Sequence, residues 1–415
     1  MRKIPRNVVW LGIVSFLTDL SSEMILPVIL PLYMKSVLPP SIALPVIGLI
    51  EGVAEAVASL LKLVSGWLSD LLKRRKALVI AGYVVSACVK PLFAVASVWW
   101  HFLVIRFSER TGKGIRTAPR DALLAASVSP ENRGISFGFH RALDTAGAFL
   151  GLLTALILVW ALRMEPKDFK LLFFISFIPG ILAVVVLAAA VRELAPPAKE
   201  KRSGPLVLTR PFIAYLIVIG IFTLGNSSDA FLVLRASDLF AGEGHAPERA
   251  TLLVLCLMLA MNAVDAGLAT WFGSLSDRLG RRNVLAFSFG IYALVYLGIA
   301  LATQAWMLWA LFALYGFYYA ASHGAMTAFV ADLVPDEGRG RAYGLFHTVV
   351  GIVALPASLI MGILYKILPK PQRMELAFVF GAALALIATV LLFVLVRSPK
   401  VTSHAEPTPN NAPGA

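Results

Sequence analysis

The sequence is poor in charged side chains and in cysteine, and both shortages restrict what the protein can be. Only 15% of its 415 residues are charged, whereas soluble domains average about 25%. Cys88 and Cys256 each fall inside an apolar run, so no disulfide framework is implied. Hydrophobic residues make up 59% of the chain, and its mean hydropathy is +0.80. One aqueous core cannot bury that much apolar surface, so the sequence indicates a membrane protein.

Long apolar runs dominate the chain. Twelve of them are long enough for a membrane helix, which needs about 20 mostly apolar residues. The runs are continuous rather than alternating, and in hydrocarbon only helices and closed barrels satisfy their backbone polar groups. We therefore predict an all-α membrane protein with 12 transmembrane helices. The predicted helices cover residues 8–35, 43–70, 77–97, 100–125, 134–161, 169–191, 212–240, 251–275, 284–302, 305–331, 341–366 and 374–396.

Positive charge is concentrated in alternate loops. The formal net charge is +13, and the loops richest in Lys and Arg include residues 2–6, 73–76, 192–210, 278–282 and 397–400. By the positive-inside rule these loops are cytoplasmic, so we expect both termini on the cytoplasmic side of a prokaryotic inner membrane. The same loops account for the net charge without a nucleic-acid partner.

Polar segments divide the chain into two halves. Residues 192–211 form a long polar linker between an N-terminal six-helix bundle, residues 1–191, and a C-terminal six-helix bundle, residues 212–397. Residues 398–415 are rich in Pro, Asn and Ser and lack apolar periodicity. We expect this last segment to be a disordered cytoplasmic tail.

The two halves repeat each other. Ser-Ser-Glu at 21–23 in the first helix recurs as Ser-Ser-Asp at 227–229 in the seventh, 206 residues later (227 − 21). Arg-Gly at 133–134 recurs at the same offset at 339–340. Such internal duplication is typical of secondary transporters, whose substrate sites lie near mid-membrane between the repeats.

A basic turn also occurs twice. Residues 273–282 follow the pattern Gly-x-x-x-Asp-Arg-x-Gly-Arg-Arg, and residues 66–75 follow it with Leu71 and Lys73 in place of Arg and Gly. This pattern is the loop signature of the major facilitator superfamily, which the chain resembles over residues 7–397. The resemblance implies turns that hold an inward gate shut; alternatively, their charges only set the topology. The implied gating residues are Gly66, Asp70, Arg74, Arg75, Gly273, Asp277, Arg278, Gly280 and Arg281.

The fourth helix carries a second part of the resemblance. The family has an arginine here that is implicated in proton-coupled transport, and Arg106 matches it. The strings Gly-Lys-Gly-Ile-Arg at 112–116 and Pro-Arg-Asp at 119–121 resemble a prokaryotic subgroup of the superfamily. The glycines lack the spacing of a phosphate-binding loop and follow no strand.

Charged side chains inside the predicted helices mark the candidate site. Asp19 and Glu23 lie four apart on the first helix, and Glu51 and Glu55 lie four apart on the second. Charges at that depth are costly unless they face a cavity or a partner. Like charges at this spacing repel, and either a bound proton or a nearby cation relieves the repulsion. The predicted proton-coupling and substrate-cavity residues are Asp19, Glu23, Glu51, Glu55, Arg106, Glu109, Arg110, Lys113 and Asp229.

The alternative for these charges is a structural network in which cations balance the acids. We assign four residues to it: Lys62, Lys90, Arg141 and Asp144. On the fifth helix, four residues share a face that favours close helix packing: His140, Asp144, Gly147 and Gly151. We expect Arg141 and Asp144 to pair there.

The C-terminal half has fewer deep charges, with Asn262 at the place of Glu55. Its aromatic residues are candidates to stack on a ligand, although packing or an interfacial belt is the more common role. They are Trp306, Trp309, Tyr315, Phe317, Tyr318 and Tyr319. A lone histidine, His323, does not make a metal site, and we expect none.

These features predict a transporter rather than an enzyme, since the chain has no nucleotide loop, nucleophile triad or metal cluster. We expect alternating access around a cavity between helices one, two, four and five and helices seven, eight, ten and eleven. The favoured function is proton-coupled antiport that exports a drug-like or metabolite amphiphile. We expect the protein to act as a monomer in the lipid bilayer, with the proton as coupling ion and no cofactor. One alternative is transport of an anionic or metal-chelate solute gripped by Arg106, Arg110 and Lys113. A more remote one is a non-transporting membrane sensor.

Overall fold

A computed structural model describes residues 5–72, 75–128, 133–193, 208–335, 339–367 and 372–396 of the protein. The described chain is helical and contains no strand. The helices are α1 (Arg6–Glu23), α2 (Ile29–Val37), α3 (Ala43–Leu72), α4 (Arg75–Val89), α5 (Trp99–Ala126), α6 (Arg133–Leu162), α7 (Lys170–Ala190), α8 (Arg210–Gly225), α9 (Ala230–Gly242), α10 (Pro247–Leu279), α11 (Arg281–Leu301), α12 (Met307–Leu333), α13 (Arg339–Ile367) and α14 (Gln372–Leu395). The predicted tail and most of the predicted linker lie outside the described residues.

These helices form twelve membrane spans, in two six-helix bundles, as the sequence predicts. The first span is α1 with α2, the third is α4 with the 3-10 turn Lys90–Val95, and the seventh is α8 with α9. In the described part of the chain, 9 helical stretches are long and apolar enough to cross a membrane. The other three spans, the first, fourth and tenth, are less apolar or shorter for chemical reasons. The first is broken, α5 carries buried charges, and α12 is rich in tyrosine.

The first and seventh spans are both interrupted near their middle, where the sequence predicts one continuous helix. α1 ends at Glu23, and Pro27 lies in the turn before α2. Proline has no N–H, and its ring excludes the carbonyl group four residues earlier, which is that of Glu23. α8 ends at Gly225, and α9 begins at Ala230. The first break directly follows the repeated Ser-Ser-acid string, and the second break contains it. Discontinuous helices of this kind are found at the substrate sites of transporters.

Neighbouring spans satisfy the backbone groups that the second break frees. The Tyr292 hydroxyl donates to the Gly225 carbonyl oxygen at 2.9 Å, and the Ser228 N–H donates to Ser358 Oγ at 3.2 Å. A broken helix is tolerated in hydrocarbon only where such partners exist. The break is therefore a built feature of the C-terminal half.

A repeated contact shows that the two halves fold alike. Arg75 Nη1 donates to the carbonyl oxygen of Ala122, and Arg281 Nη1 donates to that of Ala328. Each arginine begins an equivalent helix, and both pairs are related by the offset of 206 (281 − 75, 328 − 122). This contact fixes the correspondence of α4 and α5 with α11 and α12, residue by residue.

The halves meet closely at one end of the bundle. The end that holds the first residues of α1 and α8 is called the terminal end here, and the opposite end is called the distal end. A Cβ on Gly48 would lie 2.3 Å from the Ser358 carbonyl oxygen, and a Cβ on Gly362 would lie 2.7 Å from that of Leu44. These glycines let α3 and α13 pack backbone to backbone at the distal end, where they seal the two halves together.

An ion pair adds to this distal seal. Lys35 Nζ of α2 contacts Asp238 Oδ1 of α9, so the outer parts of the two broken spans are joined. Both side chains are about one-third exposed, at 34% and 30%. The pair therefore lies at the rim of the seal rather than inside it.

Candidate functional site

A cavity of about 580 Å³ lies between the two halves, beside both helix breaks. All nine predicted cavity residues line it: Asp19, Glu23, Glu51, Glu55, Arg106, Glu109, Arg110, Lys113 and Asp229. Its walls come from spans one, two, four and five and from spans seven, ten and eleven. The eighth span, α10, was expected to contribute but does not, because it packs on α12: a Cβ on Gly316 would lie 2.5 Å from the Met261 carbonyl oxygen.

The cavity is open towards the terminal end. Arg141 and His323 line it on that side and are exposed. Nothing lies within 4 Å of a Cβ built on Gly324, the neighbour of His323. At the other end, the seal formed by Gly48 and Gly362 closes it. The structure therefore shows the conformational state in which the cavity is open at the terminal end.

Five charged side chains form a chain of alternating sign between α3 and α5. Arg106 Nη2 pairs with Glu51 Oε2 at 2.9 Å, and Arg106 Nη1 pairs with Glu109 Oε2 at 3.0 Å. Arg110 Nη2 pairs with Glu55 Oε1 at 2.9 Å, and Arg110 Nε lies 3.6 Å from Glu109 Oε2. Charges in a buried site are stable only when such partners satisfy them. The chain ties the second span to the fourth.

Arg106 is fully engaged by this chain. Its Nε also donates to Glu51 Oε1 at 3.2 Å, so Glu51 is held in a bidentate fork. Only 3% of its side chain is exposed. Arg106 therefore binds two carboxylates of the protein itself through all three of its nitrogens.

Two carboxylates of α1 stand apart from the chain. Asp19 and Glu23 line the cavity and are half-buried. Among the described residues, neither makes a hydrogen bond or an ion pair, and the same is true of the Lys113 ammonium group. These three groups of the N-terminal half therefore remain available to a proton or a solute.

The C-terminal half presents a different kind of carboxylate. Asp229 Oδ1 accepts a hydrogen bond from the Tyr315 hydroxyl at 2.8 Å, and Oδ2 accepts one from the Tyr319 hydroxyl at 2.7 Å. Hydrogen bonds to a charged acceptor are about twice as strong as neutral ones. Asp229 is thus held in a fixed position.

Tyrosines surround Asp229 in several layers. Tyr292 stacks on Tyr296 with ring centroids 4.1 Å apart, and Tyr315 stacks on Tyr318 at 5.4 Å. The sequence named Tyr315, Tyr318 and Tyr319 as candidates for ligand stacking, with packing as the more common role, and it did not point to Tyr292 and Tyr296 of α11. Of the six aromatic candidates, Tyr319 alone lines the cavity; Trp306 and Trp309 are exposed on the outer surface.

Lys90 has a structural position that the sequence did not specify. Its Nζ donates to Ser21 Oγ at 2.7 Å and to Ser22 Oγ at 2.9 Å, and the side chain is fully buried. The serines belong to the repeated string, and their equivalent in the other half, Ser227, contacts the Tyr296 hydroxyl at 3.5 Å. Since 296 − 90 also gives 206, the repeat offset was the signal that could have found both contacts.

The expected pair of Arg141 with Asp144 is wrong. Asp144 Oδ2 instead lies 3.5 Å from His140 Nδ1, one helical turn away, while Arg141 extends into the cavity. The predicted close packing of this face is present: a Cβ on Gly147 would lie 2.4 Å from the Phe16 carbonyl oxygen. Lys62 makes no ion pair among the described residues.

The second basic turn keeps its contacts inside the C-terminal half. Arg281 Nη1 pairs with Asp332 Oδ1 at 2.8 Å, and Arg281 Nη2 lies 3.3 Å from Asp277 Oδ1. Gly280 has φ +86°, a left-handed conformation that favours glycine and sets the turn between α10 and α11. In the first turn, Arg74 lies outside the described residues, and only the helical backbone is described at Gly66 and Asp70. Arg75 is buried and donates to the Ala122 carbonyl oxygen.

Comparison with known proteins agrees with this architecture. The sequence profile described as Major Facilitator Superfamily matches residues 11–264 and 217–413. The chain belongs to the major facilitator superfamily. An uncharacterized MFS-type transporter of Methanocaldococcus jannaschii is 38% identical over 397 residues, which cover 95% of this chain and 96% of that protein. The protein is therefore a multi-pass membrane transporter and not an enzyme, as the sequence predicted.

More distant similarities are also present. The multidrug resistance protein MdtG of Proteus mirabilis is 25% identical over 428 residues, 95% of this chain and 98% of that protein. The methyl viologen resistance protein SmvA of Salmonella typhimurium is 27% identical over 213 residues, 50% of this chain and 41% of that protein. The solved structure of the nucleoside transporter NupG matches with a TM-score of 0.75 at 13% identity, over 95% of this chain and 100% of that one. The last similarity concerns the fold alone.

Proposed function

We propose that the protein is a proton-coupled antiporter that exports cationic amphiphiles across a prokaryotic inner membrane. With the basic loops placed in the cytoplasm, both termini are cytoplasmic and the cavity of this structure is open to the cytoplasm. Closing this end and opening the distal seal would expose the same site to the outside. The cycle then alternates a proton and a solute at one place.

The observation that carries this proposal is the pair of unengaged carboxylates. Asp19 and Glu23 line the cavity without a hydrogen bond or an ion pair to any described residue, while Glu51, Glu55 and Glu109 are all paired with arginine. A carboxylate inside a membrane protein that lacks a partner is a site by default. Either a proton or a cationic group can neutralise it, and the two exclude each other.

The charge of the cavity favours a cation as the solute. Six carboxylates line it, Asp19, Glu23, Glu51, Glu55, Glu109 and Asp229, against five cations, Arg106, Arg110, Lys113, Arg116 and Arg141. The excess is negative, and an aromatic residue, Tyr319, lines the same cavity. SmvA and MdtG are a methyl viologen resistance protein and a multidrug resistance protein, and both similarities favour a cationic solute. The alternative of an anionic or metal-chelate solute loses support, because Arg106 and Arg110 are engaged by protein carboxylates.

The test is proton flux in liposomes that hold the purified protein and a pH-sensitive dye. The solutes are methyl viologen, tetraphenylphosphonium, an organic anion and a neutral amphiphile. We expect the cations to produce a solute-dependent proton signal that Asp19→Asn or Glu23→Gln removes. Trp306→Phe, on the outer surface, is the matched control and should leave the signal intact.

A signal from the anion alone would contradict the cation assignment. Solute movement without proton flux, unaffected by Glu23→Gln, would instead show that another ion or no ion is coupled. Both results are readable in the same vesicles, because flux of the solute and flux of protons are measured separately.

A further inference from the structure

Lys113 occupies the place in the N-terminal half that Tyr319 occupies in the C-terminal half. The two residues are 206 apart (319 − 113), as are Glu23 and Asp229 (229 − 23). The correspondence of α5 with α12 does not rest on sequence alone, because the repeated arginine contacts to the carbonyls of 122 and 328 place the two helices in the same register. Glu23 and Lys113 are therefore the repeat counterparts of a carboxylate and its hydrogen-bond donor.

In the C-terminal half this pair is formed. The Tyr319 hydroxyl donates to Asp229 Oδ2 at 2.7 Å. In the N-terminal half, Glu23 and Lys113 both line the cavity, but no ion pair joins them within the 4.0 Å limit for a salt bridge. The equivalent contact is open in the state that the structure shows.

The charged groups around Glu23 leave Lys113 as its natural partner. The charged groups that interact with Glu23 electrostatically include Asp19, Lys113, Arg110, Arg106 and Lys90, and Asp229 faces it from the seventh span. Lys90 is held by the hydroxyls of Ser21 and Ser22. Both arginines are held by Glu51, Glu55 and Glu109. Lys113 is the remaining cation, and its long flexible side chain can swing towards a neighbouring carboxylate.

The second tyrosine that binds Asp229 also has a different residue at its equivalent position in the N-terminal half. Tyr315, which donates to Asp229 Oδ1, corresponds to Glu109 (315 − 109 = 206), and Glu109 is taken up by Arg106 and Arg110. Of the two donors that hold Asp229, one therefore has no counterpart that can donate to Glu23. The other has become a lysine.

Building on the proposed function, we propose that Lys113 is a built-in counter-ion of Glu23. The pair forms when the empty cavity closes, and the cationic group of a solute, or a proton on Glu23, displaces it. Closing an empty site over two lone charges would be costly in a membrane, and pairing them removes that cost. Lys113 thus competes with the solute for Glu23. A cation binds only if its affinity for Glu23 exceeds that of Lys113.

The first test is the affinity for tetraphenylphosphonium, a permanent cation, measured by isothermal titration on purified protein. Removing a competitor should tighten binding, so we expect Lys113→Gln to lower Kd by roughly two- to fivefold, the range of a partly exposed ion pair. Lys113→Arg keeps the charge and should stay close to the wild type. In the Glu23→Gln background, Lys113→Gln should change Kd little further. If Lys113 only repelled the cation, Lys113→Gln would lower Kd in that background as well.

The second test needs no solute. Acetylation of Lys113 by acetic anhydride, followed by mass spectrometry, should be several-fold faster in Glu23→Gln than in the wild type, because a partner carboxylate protects the ammonium group. Lys167, which pairs with Glu165 outside the membrane, is the internal control and should react equally in both proteins.

The outcomes separate this inference from the proposed function. If Lys113→Gln weakens cation binding, or if Lys113 is acetylated equally fast in both proteins, the counter-ion role is overturned. If the wild type does not bind tetraphenylphosphonium at all but Lys113 is protected by Glu23, the cation specificity of the proposed function fails while the ion pair stands.

Discussion

The two halves of this transporter follow one backbone plan but fill equivalent positions with different chemistry. Where the N-terminal half has charged side chains, the C-terminal half has phenols. The equivalent residues are Lys90 and Tyr296, Glu109 and Tyr315, and Lys113 and Tyr319, each 206 apart, and all except Lys113 have a defined partner in the structure. Duplication preserved the helix breaks, while the groups around them diverged.

The difference separates a site that can exchange partners from one that is fixed. Asp229 keeps two short hydrogen bonds from Tyr315 and Tyr319. Glu23, its counterpart, accepts no such bond from the described residues. In the proposed cycle Glu23 exchanges a proton, Lys113 and a solute, while Asp229 keeps its position.

The largest expected effect comes from Glu109→Gln, compared with Tyr315→Phe at the equivalent position. Glu109 accepts ion pairs from Arg106 and Arg110, and only 1% of its side chain is exposed. Neutralising it leaves buried arginines underpaired, which costs about 3–5 kcal/mol of unfolding free energy. Tyr315→Phe removes one hydrogen bond to a carboxylate and should cost about 1.5–3 kcal/mol. Thermal unfolding in detergent measures both.

Glu55→Gln is the control for that comparison. Its side chain is 47% exposed and pairs with Arg110 alone. Exposed ion pairs contribute at most about 1 kcal/mol, so this variant should unfold near the wild-type temperature. If Glu109→Gln were as mild as Glu55→Gln, the alternating chain would not stabilise the N-terminal half as described.

The next effect concerns the residues that anchor the two broken spans. Lys90→Met leaves the buried hydroxyls of Ser21 and Ser22 without their donor, which should cost about 1–3 kcal/mol. Tyr296→Phe keeps the aromatic packing and removes the hydroxyl that lies 3.5 Å from Ser227 Oγ, so it should cost less than about 1 kcal/mol. Chemical unfolding curves of the two variants test the order. Equal costs would mean that lysine and tyrosine play the same part in the two halves.

Much of this molecule follows from the sequence, and the reasons are physical. Membrane spans are set by the length of apolar runs, and the cavity residues stand out because charges such as Asp19, Glu51 and Lys113 are costly in lipid. Pro27 is a sequence signal for the first interruption. The apolar run continues through it, however, so hydropathy alone predicts one continuous helix. Which carboxylate pairs with which arginine depends on helix rotation and spacing, which no single sequence shows. For that reason the pair of Arg141 with Asp144 was predicted wrongly.

A smaller effect is expected from the glycines of the distal seal. Gly48→Ala places a methyl group against the Ser358 carbonyl oxygen, 2.3 Å away, in the state that opens to the terminal end. A cost of about 1.4 kcal/mol to that state shifts its population roughly tenfold towards the other state. Distances between spin labels across the distal end should increase. Gly267→Ala, on α10 with nothing within 4 Å, is the control and should leave the distances unchanged.

The smallest effect is expected from the rim ion pair of Lys35 and Asp238. Both side chains are about one-third exposed, so Lys35→Gln should change the free-energy difference between the two states by at most about 1 kcal/mol. The same spin-label distances measure this change. Exchanging the two residues, Lys35→Asp with Asp238→Lys, should restore the wild-type distribution. A larger opening in the exchanged protein than in Lys35→Gln would show that the pair does more than join the rims of the two halves.

The central claim is that the exchangeable carboxylate lies in the N-terminal half and the fixed one in the C-terminal half. The most direct measurement is the number of protons released when tetraphenylphosphonium binds to purified protein in weakly buffered solution. The account predicts release by the wild type and by Asp229→Asn, and none by Glu23→Gln. Release that survives in Glu23→Gln but vanishes in Asp229→Asn would contradict it and would move the coupling site to the C-terminal half.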